Sequence, residues 1–523
     1  MKLMLIPIAL LASAIAVQAS FEYTAAKRQL DDLSNDAIMG FQKTGRLQQI
    51  AQWNEARFDS GKYAWSAEYD IVDNSYRALK LDTNSFCSGG GFLANGTLIN
   101  TGGAERRGRN ITALAGWKSI RVFKPCMNQT CEWAEYPTQH MGDNRWYPTV
   151  EQLPDGTLFI IGGSSKGTSV NREEINTPTY EFWPSRGSPV FMQFLVDTMP
   201  YNLYPFVHLL PSGHLFIFAS RSSIIFDPVT GETLRHLPDI PGAVRSYPLT
   251  ATSVMLPLSP DNDYEVEILI CGGSSGMKGK SKADSTCGRI NLSKEDAQWE
   301  MDTFVEPRLM PDGVILADGK ILFVNGCQIG FAGYNGRNTN PTFTPVIYDP
   351  AKPKGERWIT GLVPSNIARM YHSVATLVPD GTVWIAGSAN IEPPNATAFP
   401  YPTEFRVEYF SPPYLFSNTP RPLISNVPPT LHPGQHWVLN LNLQTGAEPD
   451  VRVALIHPGF VTHSLHMSQR YVVLGSRVIN DGTQLEIVAP PNNNLFPPGP
   501  AWLFVTNQGV PAKGVQLMIS VGP

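Results

Sequence analysis

Apolar and polar positions alternate in short runs along most of the chain, and turn residues break them at regular places, which predicts a succession of β-hairpins. The segments Phe92-Leu-Ala-Asn95-Gly96-Thr-Leu-Ile-Asn-Thr-Gly102-Gly103, Leu153-Pro-Asp155-Gly156-Thr-Leu-Phe-Ile-Ile-Gly162-Gly163, Leu210-Pro-Ser212-Gly213-His-Leu-Phe-Ile-Phe-Ala219 and Leu377-Val-Pro-Asp380-Gly381-Thr-Val-Trp-Ile-Ala-Gly387 share one grammar. Each has a tight turn in which glycine accepts positive φ, flanked by apolar strands. Leu309 to Gly326 is a further copy, and Glu265-Val-Glu-Ile-Leu-Ile-Cys271-Gly272-Gly273 adds one more.

Measured between strand-ending glycines, the copies recur at roughly 50 to 60 residues, the kelch range for a four-stranded propeller blade. Six copies are visible, and a seventh blade is expected to be closed by the N-terminal segment, so that blades fill about residues 45 to 415. Near Arg421 the grammar changes. Ser411-Pro-Pro-Tyr414 and Pro420-Arg-Pro422 make a proline-rich linker, followed by alternating runs such as Trp437-Val-Leu-Asn-Leu441, Val451-Arg-Val-Ala-Leu-Ile456 and Ala501-Trp-Leu-Phe-Val505. These predict a β-sandwich of roughly 100 residues. The expected organisation is all-β: a leader over 1–19, a propeller with an N-terminal extension over 20–418 and a sandwich over 419–523.

Composition agrees with this picture, since only 16% of residues are charged while glycine and proline number 44 and 45. A net charge of −5 without any basic cluster argues against nucleic acid or an anionic membrane as partner. Met1-Lys2, the apolar run Leu3 to Val17 and the small-residue site Val17-Gln18-Ala19 read as a secretory signal peptide, with a mature start near Ser20. No later run is long and apolar enough to span a bilayer. The sequons at Asn95, Asn110, Asn128, Asn291 and Asn395 suit an exported glycoprotein, and a short helix is expected around Ala25 to Ile38.

Export makes the six cysteines disulfide candidates. Cys126 and Cys131 bracket a short loop, and Cys271 and Cys287 flank a Gly/Ser/Lys-rich one. Cys87 and Cys327 remain, either bridged to each other or with Cys87 serving another purpose. Counting back from the turns bears on the position of Cys87. Eight residues before Asn95, Asp155, Ser212 and Asp380 stand Cys87, Tyr147, Tyr204 and His372. Equal offsets in equivalent hairpins imply equivalent positions at one end of the inner strands around the axis, and Tyr371 adjoins His372. Tyr-Pro also recurs at Tyr147, Tyr204 and Tyr247, so a tyrosine there is equally a feature of the repeat. The sandwich contributes His457, His463 and His466, among which spacing does not choose. Tyr334, within the glycine-rich run Gln328 to Asn340, and Arg245 are candidates for either a substrate contact or a surface loop.

Phe86-Cys87-Ser-Gly-Gly-Gly, Arg145-Trp146-Tyr147-Pro-Thr, Arg369-Met-Tyr371-His372-Ser and Val461-Thr-His463, in this order, resemble the copper radical oxidases, specifically the glyoxal oxidase branch related to galactose oxidase. The resemblance covers nearly all of the mature chain and implies a seven-bladed kelch-type β-propeller followed by a C-terminal immunoglobulin-like β-sandwich. It assigns the loop histidine that enters the propeller axis to His463. It further implies one copper ion held by Tyr147, His372 and His463 with Tyr371 axial, ligands whose imidazole and phenolate character suits Cu(II). A thioether crosslink between Cys87 and Tyr147 would carry the protein radical that supplies a second redox equivalent.

The implied reaction oxidises small aldehydes such as glyoxal and methylglyoxal to carboxylic acids, reducing O2 to H2O2 for use by peroxidases. One departure stands out. Galactose oxidase stacks a tryptophan over the crosslinked tyrosine just after that blade's glycine pair, where this chain has Gly163-Ser164-Ser165. A primary alcohol or galactose-type oxidase would share every redox residue, and a noncatalytic kelch propeller that binds a partner is the other alternative.

Overall fold

The turn chemistry read from the sequence builds the hairpins. Asp155 and Asp380 each accept a hydrogen bond from the backbone N–H two residues on, at 3.0 and 2.8 Å. Gly156 and Gly381 take the left-handed φ values of +80° and +88° that such turns require. Each turn thereby sets the register of its two strands, as in Leu158 opposite Gln152 and Val383 opposite Leu377.

The computed structural model describes residues 9–10, 40–44, 66–71, 74–105, 114–126, 130–167, 171–391, 395–444 and 450–522. The expected helix at 25–38, the sequons at Asn110 and Asn128, and the leader apart from 9–10 lie outside the described residues. Among those described, six antiparallel four-stranded sheets form the propeller. Their inner strands are Gly89–Phe92, Thr149–Gln152, Phe206–Leu209, Ala251–Met255, Asp312–Ile315 and Val374–Leu377, numbered here as blades one to six. Burial falls outward along a blade: in blade two Leu158–Ile161 is wholly buried while the outer strand Val190–Phe191 is exposed.

Among the described residues, six four-stranded blades stand where seven blades were expected. The N-terminal segment, expected to close a seventh blade, contributes the strand Gly40–Thr44, which pairs with Glu408–Ser411 as the outer strand of blade six. The hairpin Ser66–Asp70 with Ser75–Leu79, whose first strand also pairs with Ala9–Leu10, lies between blades six and one as a three-stranded sheet among the described residues. It is pinned on one side by the Tyr69 ring on Trp384, centroids 5.6 Å apart. On the other side Trp133 Nε1 donates to Ser66 Oγ at 3.0 Å, and Arg77 donates to Glu132 at 2.9 Å.

Buried arginines fasten the blades internally. Arg145, Arg245, Arg308 and Arg369 each stand just before an inner strand and donate to a carbonyl at the end of the second strand of the same blade: Gly162, Gly272, Asn325 and Gly387. Arg145 and Arg369 are further paired with Glu181 and Glu408 at 2.8 and 2.6 Å. A buried cation needs such partners. Arg245, with Thr286 at 2.7 Å and Asp284 at 3.2 Å, belongs to this set, so its two Nη nitrogens are engaged inside blade four.

After the last blade strand, the C-terminal sheet is bent into a sandwich by one long strand, Arg470–Ile479. Its first half pairs with Val451–His457, and from Gly475 onward it pairs with Gln484–Val488. From one end of this sandwich a two-stranded finger, Phe460–Thr462 and Leu465–Met467, enters the propeller axis. Its first strand touches the inner strands of blades six and one, and its second touches those of blades two to five. Gly90 shows why the run Gly89-Gly90-Gly91 is glycine: a Cβ there would lie 2.4 Å from the Phe460 ring.

The base of the finger is locked by polar contacts. Buried Glu151 accepts from Ser468 N, Ser468 Oγ and Leu209 N at 3.0, 3.1 and 3.0 Å, and Gln469 bonds the backbone of Gly313 and Ile315. Disulfides join Cys126 to Cys131 and Cys271 to Cys287, as expected. Cys87 and Cys327 are not bridged. Cys327 is buried in blade five, and burial pushes its thiol up to about 12.

Candidate active site

Equal offsets from the turns correspond to one backbone device. Cys87, Tyr147, Tyr204, Met310 and His372 each stand two residues before an inner strand, with φ of +57°, +65°, +47°, +57° and +67°. For non-glycine residues this conformation costs about 1–2 kcal/mol each. It recurs because it kinks the chain as it enters five of the six blades, at the same end of the axis. Met310 joins the set once the turn of blade five is placed at Asp318-Gly319, which lies eight residues later. The kinks are tied to one another: Tyr147 N–H donates to the Cys87 carbonyl at 3.0 Å, and Tyr204 N–H to the Tyr147 carbonyl at 3.1 Å.

Opposite them, the finger tip is a two-residue turn, His463-Ser464, with both φ positive at +48° and +68°. That is the type I′ geometry that asparagine and glycine usually supply. Here it presents an imidazole instead, and His463 is buried among the kink residues. Its ring lies 4.8 Å from that of His372, 5.5 Å from Tyr371, 5.7 Å from Tyr147 and 5.0 Å from Tyr204. Cys87 Sγ is 3.6 Å from His463 Nε2. The five residues that the resemblance assigned to the site, Cys87, Tyr147, Tyr371, His372 and His463, thus meet in one buried cluster.

Donor atoms in this cluster suit a soft-to-borderline cation. Cys87, His372 and His463 offer ligand atoms within 4.8 Å of one another. His372 Nδ1 faces the Ala389 carbonyl at 3.1 Å, which can only accept, so the proton sits on Nδ1 and Nε2 keeps its lone pair. Nε2 is buried with no hydrogen-bond partner. An orphaned imidazole nitrogen in a buried site requires an explanation, and a metal ion satisfies it. Burial pushes His372 down to about 3 and His463 well below its usual range, so both rings are neutral, as ligation needs. The phenols of Tyr147 and Tyr371 are pushed well above theirs, again by burial, and a cation is what would favour their phenolate forms. Two imidazoles and two phenols fit copper(II).

Two aromatic neighbours of Tyr147 were visible in the sequence without an assigned role. The Trp146 ring lies against it at 4.5 Å and 35°, so an indole is present although Ser165 occupies the position named above, its Oγ directed at the Ile175 carbonyl at 3.3 Å. Tyr247 stacks on Tyr147 at 4.5 Å and 26°, and its hydroxyl lies 3.1 Å from that of Tyr147 and 2.8 Å from that of Tyr371. The Arg-x-Tyr spacing shared by Arg145/Tyr147, Arg245/Tyr247 and Arg369/Tyr371 was the available signal.

Other candidates sort plainly. Half-buried Tyr334 packs on Tyr371 and His372, each at 5.3 Å, so the glycine-rich run does reach the site. Tyr204 donates its hydroxyl to the Ser88 carbonyl at 2.9 Å. His457 Nδ1 accepts from Gly459 N at 3.0 Å, and His466 Nε2 donates to the Pro458 carbonyl at 3.0 Å; both shape the finger's base.

Comparison with known proteins agrees with this geometry. The family profile described as glyoxal oxidase N-terminus matches residues 42–414, and that described as galactose oxidase-like, Early set domain matches residues 421–519. Aldehyde oxidase GLOX of Vitis pseudoreticulata is 36% identical over 475 residues, covering 87% of this chain and 86% of the relative. Aldehyde oxidase GLOX1 of Arabidopsis thaliana is 36% identical over 479 residues, covering 87% and 75%. A fungal alcohol oxidase solved in complex with copper shares the fold, with a TM-score of 0.68 at 20% identity over 87% of this chain and 90% of that one.

Proposed function

The chain belongs to the glyoxal oxidase family of copper radical oxidases, and on that premise we propose that it is an exported enzyme oxidising small aldehydes, glyoxal and methylglyoxal among them, to carboxylic acids. The overall stoichiometry is R-CH(OH)2 + O2 → R-COOH + H2O2, with the aldehyde entering as its hydrate. Export rests on the leader pattern of residues 1–19, and the H2O2 released would then be available to peroxidases outside the cell.

The observation that carries this reading is the burial of the His372 Nε2 lone pair, without a partner, in a cluster with His463, two phenols and an unbridged cysteine. In this proposal Tyr147, Tyr371, His372 and His463 hold copper, and Cys87 is joined to Tyr147 as a thioether. When bound, copper would supply a Lewis acid for the substrate hydroxyl and a one-electron couple, which with the Tyr147 radical makes two equivalents. Tyr371 takes the proton from the hydroxyl oxygen of the hydrate. Tyr147, oxidised to a phenoxyl radical, accepts the hydrogen atom from the substrate carbon. His372 and His463 remain neutral throughout, held by the Ala389 carbonyl and by Thr462 Oγ1 at 2.6 Å. Packed aromatic rings exclude water from the radical, with Trp146 and Tyr247 against Tyr147 and Phe86 5.5 Å from His372.

The test is H2O2 release by copper-loaded protein across a matched panel of aldehydes and primary alcohols, together with peptide mass spectrometry. Peptides containing Cys87 and Tyr147 should be joined and lighter by two hydrogens, and Cys87→Ala should retain copper while losing most turnover. Faster O2 uptake with galactose or simple alcohols than with any aldehyde would replace the substrate assignment with an alcohol oxidase. A free Cys87 thiol in fully active enzyme would remove the crosslink.

A further inference from the structure

Tyr247 contributes no atom to the ligand set above, yet it touches both tyrosines of that set. Its hydroxyl lies between the two phenol oxygens, 3.1 Å from Tyr147 and 2.8 Å from Tyr371, and its ring stacks on Tyr147. One hydroxyl carries one proton, so it can donate to only one neighbour at a time while accepting from the other. Donation to Tyr147 fits the observed geometry, which leaves Tyr371 to donate when it carries its own proton. Tyr247 is buried and enters from blade four, immediately before the inner strand Ala251–Met255, whereas Tyr147 and Tyr371 enter from blades two and six. Arg245, two residues before it, is fastened to Gly272, Thr286 and Asp284, so the tyrosine is presented from a rigid base.

We propose that Tyr247 is a positioning residue that bridges Tyr147 and Tyr371, orients both phenol oxygens toward the space between His372 and His463, and raises the potential at which Tyr147 is oxidised. The inference rests on the radical site proposed above. Its physical basis is that a hydrogen bond donated to an oxygen stabilises the electron-rich phenolate more than the phenoxyl radical. The couple concerned is the crosslinked Tyr147 phenolate giving one electron to an added outer-sphere oxidant and leaving a phenoxyl radical, with no bond broken. Removing the donor should make that loss easier. It should also release the orientation of Tyr371, which takes the substrate proton.

Tyr247→Phe keeps the stacked ring and deletes only the hydroxyl. Copper content and the Cys87–Tyr147 mass signature are measured first, since both should match the parent protein. Redox titration of the radical's optical band against ferricyanide and ferrocyanide should then show a lower midpoint potential. Turnover should fall roughly ten-fold with KM changed less than about two-fold, as expected when one oriented hydrogen bond is lost from the transition state. A ring-fluorinated tyrosine placed at 247 preserves shape and strengthens the donor, so it should move the midpoint upward and provides the test if Tyr247→Phe does not fold. Unchanged midpoints in both variants, or in the fluorinated variant alone where the other is unfolded, would overturn the proposal. Parent protein that neither retains copper nor forms the crosslink would instead overturn the radical-site reading, so the two failures are distinguishable.

Discussion

Gly387 offers the sharpest test of how the blade scaffold sets the site. It follows the second strand of blade six, has φ +78°, and a Cβ added there would lie 2.5 Å from the His372 carbonyl oxygen. Two costs are therefore combined in Gly387→Ala: a left-handed alanine, and a backbone collision directly beneath a proposed ligand. Gly434 separates them, because its φ is +71° and nothing lies within 4 Å of an added Cβ. Gly434→Ala should lower stability by about 1 kcal/mol, the conformational term alone. Gly387→Ala should cost that amount plus about 2 kcal/mol or more, because the His372 carbonyl has to retreat by roughly half an ångström and the adjoining bond angles absorb the strain. A displacement of that size at a ligand should weaken copper retention at least about ten-fold. The assay is the urea midpoint of both variants, followed by copper content after dialysis against a chelator. Equal destabilisation of the two variants, with copper held as in the parent, would refute the claim that this glycine clears the backbone of His372.

Two further outcomes are expected. Trp146→Ala should retain copper but shorten the lifetime of the oxidised radical several-fold by optical decay, because the indole at 4.5 Å from Tyr147 is replaced by space open to water; unchanged decay would mean that shielding lies elsewhere. Burial raises Glu151 from 4.5 to about 7 and Asp312 from 3.8 to about 8, so the folded state holds these protons more tightly than the unfolded chain. Their stabilising contribution is complete below about pH 4 and is lost as pH rises through about 7 and 8. Asp312→Asn should flatten the upper part of that decline in a series of urea midpoints between pH 5 and 9, and an unchanged slope would exclude Asp312 as its source.

Fold class and most of the site were legible because their signals are local. An Asp-Gly turn, its neighbouring apolar strands and the residue eight positions upstream lie within one hairpin, and the disulfides Cys126–Cys131 and Cys271–Cys287 span separations of only 5 and 16 residues. The sequence left Arg245 between a substrate contact and a surface loop because its partners, Gly272, Asp284 and Thr286, lie in the second and third strands of its blade and the loop between them, so only folding shows its Nη nitrogens engaged there. Tyr247 was visible merely as one more Tyr-Pro, since blade four has a longer inner hairpin that breaks the eight-residue count.

What the sequence determined by itself was the repeating hairpin, its register and the residue types placed at each kink, all governed by backbone preferences acting over a few residues. Tertiary structure decided three things that such preferences do not reach. Ring closure is one: Gly40–Thr44 completes blade six by pairing with Glu408–Ser411, so among the described residues six four-stranded blades form and a hairpin stands between the last and the first. The histidine that enters the axis is another, because His457, His463 and His466 differ only in where the finger turns. The last is the company kept by Tyr147, whose contacts with Trp146, Tyr247 and His463 come from its own kink, from blade four and from the C-terminal finger. Each depends on segments distant in the chain meeting at one axis, where packing of large rings and satisfaction of buried polar atoms choose among arrangements that local patterning leaves equivalent.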